Sequence, residues 1–182
     1  MLKKIIETER LYLREMNTKD YKSLCKILQD KETMYAYEHA FSDKEAKEWM
    51  DKQLISYSEN GFGLWALVLK DTEEMIGQCG ITIQPCNDKQ VHEVGYLLQK
   101  DYWKKGYATE AAIACKEYAF NTLGINEIYS IIRDNNIASQ NVARRNGMQV
   151  SGRLMKHYNN KDILHLLFMV KSGMMQKQNK VD

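Results

Sequence analysis

The residues most able to do chemistry lie in one stretch, 93–111, which the sequence predicts as a strand, a loop and the start of a helix. Gly106 and Ala108 keep the side chains short where the loop turns into the helix, so that several backbone amides can point outward. These amides and the positive end of the helix dipole suit an anion such as a pyrophosphate. Lys104 and Lys105 add positive charge at the same place. For so short a glycine pattern, a solvated turn with two incidental lysines stays open as the alternative.

Hydrophobic periodicity predicts the strands and helices that position this stretch. Ser42 and Glu45 form a capping box at the start of one helix, and Gly61 and Gly124 are stop signals for two helices. Gly77 and Gly80 are predicted to mark a bulge or a close backbone approach in their strand. The predicted strands are 11–16, 64–69, 75–83, 91–98, 128–132, 148–155 and 163–170, and the predicted helices are 21–28, 42–60, 108–119 and 138–146.

The arrangement of these elements predicts the fold class. Strands that flank helices, with hairpins at both ends, are typical of a mixed-sheet α/β or α+β domain rather than a pure doubly wound fold. The 182 residues predict one domain. We expect it to span 1–171, with 172–182 as a polar tail, and we expect Pro85 to open a polar connection after its strand.

Composition argues against several functional classes. The 26 basic and 24 acidic residues leave a net charge of +2, far below the excess of a dedicated nucleic-acid binder. No apolar run approaches the ~18 residues of a membrane span, and the first residues lack the apolar segment of a signal peptide. The four cysteines form no C-x-x-C pair, and the histidines lack metal-ligand spacing. We therefore expect a cytoplasmic protein with no metal and no nucleic-acid or membrane partner.

The loop sequence WKKGYATEA, residues 103–111, resembles the acetyl-CoA loop of the GNAT superfamily of N-acetyltransferases, especially its RimJ/RimL-like branch. Three further segments resemble that branch in the same order. Residues 8–14 resemble its first strand, 65–81 its central hairpin, and 136–148 its Asn-x-x-Ser motif, with Asn-Gly-Met in place of Leu-Gly-Phe. The resemblance implies the GNAT fold, a central mixed, mostly antiparallel twisted sheet of about six to seven strands flanked by about four helices.

The same resemblance implies an acetyl-CoA-dependent transfer of an acetyl group to a primary amine, on a protein N-terminus or a small molecule, by a monomer or homodimer. It implies direct attack in a ternary complex, and no Ser-His-Asp or Cys-His set suggests an acyl-enzyme instead. A non-catalytic acyl-CoA-binding regulatory module stays open as the alternative. The implied cofactor-binding residues are Leu97, Leu98, Lys104, Lys105, Gly106, Tyr107, Ala108, Thr109, Asn136 and Ser139.

Three positions depart from the branch. Lys104 stands where glycine is usual, which predicts a stiffer loop. Ala143 stands where other superfamily members often carry a tyrosine that protonates the leaving thiolate. The role of this tyrosine therefore cannot be transferred to position 143. Arg144 and Arg145 stand where Glu-Lys is common, which changes the charge near the adenine end of the cofactor.

Glu93 is the predicted catalytic base. An α-amine has a pKa near 7.7 to 8.0 and a lysine amine near 10.4, so that a base or water relay helps at neutral pH. In a regular strand Glu93, Gly95 and Leu97 share one face, which places the carboxylate beside the small gap at Gly95. The resemblance agrees, since a Glu just ahead of Gly-Tyr is a proposed base in this branch. A surface strand residue or an ion-pair partner is the alternative for Glu93.

The remaining catalytic needs are an oxyanion donor and a proton for the thiolate. A backbone amide near Leu97 or Leu98 is the predicted oxyanion donor. Ser139 resembles the branch's serine near the cofactor sulfur and is predicted to relay the proton, with an ordinary helix hydroxyl as the alternative. Asn136 is predicted to bind the pantetheine amides, or else to be a simple cap.

Overall fold

The computed structural model describes residues 3–158 and 161–173, so that residues 174–182 of the predicted tail lie outside the described residues. The strands and helices come in the following order. The strands are β1 (Lys4–Glu7), β2 (Leu11–Arg14), β3 (Leu64–Leu69), β4 (Met75–Cys86), β5 (Lys89–Leu98), β6 (Glu127–Arg133), β7 (Gln149–Tyr158) and β8 (Lys161–Lys171); the α-helices are α1 (Tyr21–Leu28), α2 (Asp43–Asn60), α3 (Tyr107–Asn121) and α4 (Ile137–Arg145).

One mixed sheet runs through the described residues in the order β1-β2-β3-β4-β5-β6-β8-β7. Every neighbouring pair is antiparallel except β5 and β6, which run parallel. The predicted mixed, mostly antiparallel sheet is thereby confirmed, but it has eight described strands rather than six or seven. The additional strand is β1, whose charged residues Lys4 and Glu7 hide the strand pattern at a sheet edge where one side faces solvent.

Two successive residues of β4 show how the helices cover the sheet. The thiol of Cys79 lies 3.6 Å from that of Cys115 on α3. Its neighbour Gln78 accepts a hydrogen bond from the Trp49 indole of α2 at 3.0 Å. Since side chains alternate along a strand, α3 and α2 cover opposite faces of the sheet. Trp65, fully buried against Tyr118 of α3, belongs to the core on the first of these faces.

Local sequence signals set the helix boundaries near the site. The capping box is confirmed, because Ser42 accepts from the Glu45 amide and Glu45 accepts from the Ser42 amide. Gly61 ends α2 with a φ of 76°, the left-handed conformation that glycine adopts at little cost.

Pro85 does not open the connection that the sequence predicted. It lies inside β4 opposite Gln90, and only Asn87 and Asp88 connect the two strands. The first residue of β3, Leu64, pairs with Gly80, and the Ile81 amide donates to the Gly63 carbonyl. Within the described residues, β4 has no strand partner on that side beyond Ile81. A proline there costs no ladder hydrogen bond.

Candidate active site

The parallel strands β5 and β6 separate soon after they meet. Their register contains the single pair Glu93–Tyr129. Beyond it, side chains bridge the two backbones. The Ser130 hydroxyl donates to the Val94 carbonyl at 2.9 Å, and the Ile131 amide donates to a Glu93 carboxylate oxygen at 2.8 Å. Glu93 therefore lies at the vertex of a wedge that opens between the two strands.

Burial makes the Glu93 carboxyl group a weaker acid than an ordinary glutamate side chain. The residue is half-buried, and desolvation of its carboxyl group raises the pKa to about 7, although the Ile131 N–H and the positive charge of Lys156 oppose the rise. No cation within the described ranges lies within ion-pair distance of this carboxylate. A carboxyl with a pKa near neutrality can accept a proton and release it again at cytosolic pH.

A cavity of about 520 Å³ opens in front of the wedge. It brings Glu93 together with Asn136 and Ser139, which lie more than forty residues further along the chain. Gly95 and Leu97 line it beside Glu93, as the strand pattern predicts. Further lining residues come from α2 and from the segment before it, including Tyr37 and Trp49.

The backbone of β5 presents only alternate residues to the open wedge. The Gln99 amide donates to the Ile76 carbonyl of β4, so odd-numbered residues, Leu97 among them, direct their amides to β4. Val94, an even-numbered residue, directs its carbonyl to β6. By this alternation the amides of Tyr96 and Leu98 face the wedge. Of the two residues predicted from the sequence, Leu98 offers its main chain there and Leu97 offers its side chain.

Asn136 organises the start of α4 on the other side of the wedge. Its carboxamide oxygen accepts from the Ser139 amide at 3.1 Å and from the Tyr35 hydroxyl. Ser139 lines the cavity beside the Tyr96 hydroxyl, which donates to the Ser139 carbonyl at 2.9 Å. Ala143, one turn further on, is 1% exposed and packs in the core. Position 143 of α4 therefore carries no tyrosine hydroxyl that could donate a proton.

The loop before α3 ends in a helix start without a side-chain cap. Gly106 is the N-cap residue with a φ of 83°, and the first intrahelical bond is made by the Glu110 amide. The amides of Tyr107, Ala108 and Thr109 therefore have no intrahelical acceptor. Together with the exposed Lys104 and Lys105, these donors suit an anion such as a pyrophosphate.

A brace from the start of the chain fixes this loop. Glu110 accepts from the Thr8 hydroxyl at 2.6 Å and pairs with the Arg10 guanidinium at 2.7 Å. Arg10 also donates to the Lys105 carbonyl at 2.9 Å and lies over the Tyr107 ring. Sequence reasoning noticed residues 8–14 only as part of a resemblance and missed this function. No periodicity could reveal it, because the contacts link positions about 100 residues apart.

Lys104 adopts a left-handed backbone conformation with a φ of 61°, at the position where related loops have glycine. Such a conformation costs a residue with a Cβ about 1 kcal/mol or more. We expect Lys104→Gly to be more stable than Lys104→Ala by about 1 kcal/mol in chemical denaturation, because both lose the charge but only glycine relieves the backbone. A Lys104→Gly variant that unfolded at a lower denaturant concentration than Lys104→Ala would contradict this.

A splayed parallel strand pair beside a helix start with free amides suits a transferase whose substrate carries a phosphate group. The comparison of sequences identifies the family. Residues 10–149 match the model of the acetyltransferase (GNAT) domain, so the chain belongs to the GNAT family and is an N-acetyltransferase. Acetyl-CoA is the acetyl donor of this family. Within the described residues, no helix combines the length and the apolar character that a membrane crossing requires.

Individual proteins agree with this assignment. The chain is 34% identical to the Bacillus subtilis (strain 168) protein YkkB over 150 residues, which are 82% of this chain and 87% of YkkB. It is 30% identical to the N-acetyltransferase YnaD of the same organism over 83% of this chain and 86% of YnaD. Its fold matches that of RimL, a ribosomal L7/L12 α-N-protein acetyltransferase solved with coenzyme A, with a TM-score of 0.77, 18% identity and coverage of 93% and 98%.

Proposed function

We propose that this N-acetyltransferase transfers the acetyl group by direct attack of a primary amine on acetyl-CoA, with both substrates bound at the wedge between β5 and β6. The observation that carries the proposal is the carboxyl group of Glu93, held at the vertex of the wedge with its pKa raised to about 7. The acceptor is an amine of a protein N-terminus or of a small molecule.

Glu93 takes the proton of the attacking amine, directly or through one water. The amine nitrogen then forms a bond to the thioester carbon, and the bond from that carbon to sulfur breaks. The oxyanion that develops on the carbonyl oxygen meets the backbone amides on the open edge of β5, at Tyr96 and Leu98. These amides need no rearrangement, since β4 holds the strand along its whole length.

The Ser139 hydroxyl relays a proton from solvent water to the departing thiolate, so that it gives up one proton as it takes up another. Its amide donates to the Asn136 carboxamide, which holds Ser139 at the start of α4 where it lines the cavity. The alternative donor of other family members is excluded here by alanine at position 143. The pyrophosphate of the donor lies on the amides of Tyr107, Ala108 and Thr109, with Lys104 and Lys105 beside it.

Thiol release from acetyl-CoA tests the proposal on a panel of acceptors, which comprises Ser- and Ala-starting peptides, polyamines, amino acids and aminoglycosides. Thermal stabilisation by CoA is measured alongside. We expect turnover on at least one amine and stabilisation by CoA. Stabilisation without turnover on any amine would favour the binding module, and no stabilisation would refute the assignment of the loop before α3.

A further inference from the structure

Three basic side chains form a row along one part of the cavity wall. Arg133 at the end of β6 pairs directly with His165 of β8, and His165 pairs with Leu154 of β7. Lys156 lies two residues beyond Leu154 and therefore on the same face of the sheet. Arg133, His165 and Lys156 all line the cavity that Glu93 lines.

Two of these side chains have no carboxylate at ion-pair distance within the described residues. Lys156 and Arg133 are half-buried, and no carboxylate of the described residues forms an ion pair with either. Within the described residues, the Arg133 guanidinium donates one hydrogen bond, to the Tyr35 carbonyl at 3.3 Å, which leaves most of its donors available. Burial lowers the pKa of His165, and the charges of Lys156 and Arg133 lower it further, although the Ile163 backbone and Asp134 oppose this change.

The other charged groups at the cavity lie elsewhere. Glu38, Lys52 and Glu59 are exposed and belong to α2 or to the segment before it, where water screens them. Asp134 follows Arg133 in sequence but is exposed and does not line the cavity. When Glu93 is in its base form, Arg133, Lys156 and Glu93 together thus leave one net positive charge on the cavity wall.

We propose that the acceptor carries a carboxylate a few bonds from its amine, and that Arg133 and Lys156 bind this carboxylate while the amine lies at Glu93. A single carboxylate matches the one net charge, and the guanidinium fork of Arg133 suits its two oxygens. An amine without an acidic group leaves both cations facing an apolar or neutral ligand, which a half-buried site disfavours. This inference rests on the proposed direct transfer at the same cavity.

Matched acceptors test the inference. The dipeptide amides Ala-Asp and Ala-Asn present the same α-amine and differ in one charge, and 4-aminobutanoate and butylamine do the same for small molecules. We expect the acid of the preferred pair to have a kcat/KM about tenfold higher than its neutral partner, as one hydrogen-bonded charge contact contributes. The difference should lie in KM, because the carboxylate is remote from the reacting atoms. A preference for the acid in the dipeptide pair would indicate an acidic peptide terminus as the acceptor. A preference in the small-molecule pair would indicate a free amino acid.

Variants of Lys156 assign the effect to this site. Lys156→Met should reduce the preference for the acid by about tenfold, and Lys156→Glu should reverse it. Lys22→Met is the matched control, since Lys22 is exposed on α1 and does not line the cavity. The ratio between acid and amide on the same enzyme cancels any effect that Lys156 has on Glu93. Equal kcat/KM values for acid and amide, or a Lys156→Met variant that slows both equally, would overturn the inference.

A binding measurement keeps this inference separate from the proposed function. The N-acetylated acids and amides are titrated against the CoA-saturated protein, with intrinsic tryptophan fluorescence as the signal. Tighter binding of the acids, lost in Lys156→Met, supports the anion site even if no acceptor is turned over. Turnover of amines with no preference in either assay rejects the anion site and leaves direct transfer standing.

Discussion

Glu93→Gln is expected to lower kcat/KM by about 100-fold or more, the usual contribution of a positioned general base. Glutamine keeps the oxygen that accepts from the Ile131 amide, so the wedge between β5 and β6 should retain its shape. CoA binding, measured by thermal shift, should not change. Glu15→Gln is the matched control, because Glu15 is exposed and does not line the cavity. Wild-type activity in Glu93→Gln would contradict the role of general base. Glu93 would then have only a structural role, as the acceptor for the Ile131 amide of β6.

The pH dependence of activity gives a second test of Glu93. Because the base must be deprotonated, wild-type kcat/KM should rise with pH through an apparent pKa of about 7. The amine of the acceptor adds its own rise at a higher pH. In Glu93→Gln only the rise of the amine should remain. An unchanged profile in this variant would show that the lower limb comes from another group.

The same substitution should stabilise the protein above neutral pH. The pKa of Glu93 rises from 4.5 to about 7 on folding, so the folded state binds more protons than the unfolded state between these values. Wild-type stability therefore falls as pH rises from about 4.5 to 7. Glu93→Gln escapes this loss and should exceed wild type by about 2 to 3 kcal/mol at pH 8 but not at pH 4. Denaturation at both pH values measures it, and a variant that is less stable at pH 8 would contradict the desolvation of Glu93.

Sequence reasoning predicted the parts of the site that depend on local pattern. The strand that carries Glu93 follows from the apolar residues between 91 and 98, and the start of α3 follows from Gly106. Both signals lie within a few residues of the feature they predict.

The features of the site that the sequence did not predict depend on contacts between residues distant in the chain. The brace from Arg10 to Glu110 and the row from Arg133 to Lys156 exist only because strand order places these positions together. Which amide of β5 faces the wedge also needs the register, because one residue of slip would exchange Leu97 for Leu98.

Gly80→Ala is expected to destabilise the protein by about 3 kcal/mol or more. A Cβ built on Gly80 would lie 1.9 Å from the Gly63 carbonyl oxygen, a backbone atom that also accepts from the Ile81 amide. Neither partner can move without breaking the pairing of Leu64 with β4, which is consistent with the close approach predicted for Gly80. Thermal or urea unfolding measures the loss.

Gly152→Ala supplies the control for Gly80→Ala, since its Cβ would meet only the flexible end of Leu167 at 3.4 Å. It should change stability by about 1 kcal/mol or less. The side chain at Gly80 lies on the face that carries Gly95 and Glu93, because Gly80 pairs with Gly95. A displaced β3 would therefore disturb the cavity as well as the core. Any folded Gly80→Ala protein should lose acetyl transfer more than it loses the CoA binding proposed at the distant start of α3. A Gly80→Ala protein as stable and active as Gly152→Ala would show that β3 and β4 can separate at this point without cost to the site.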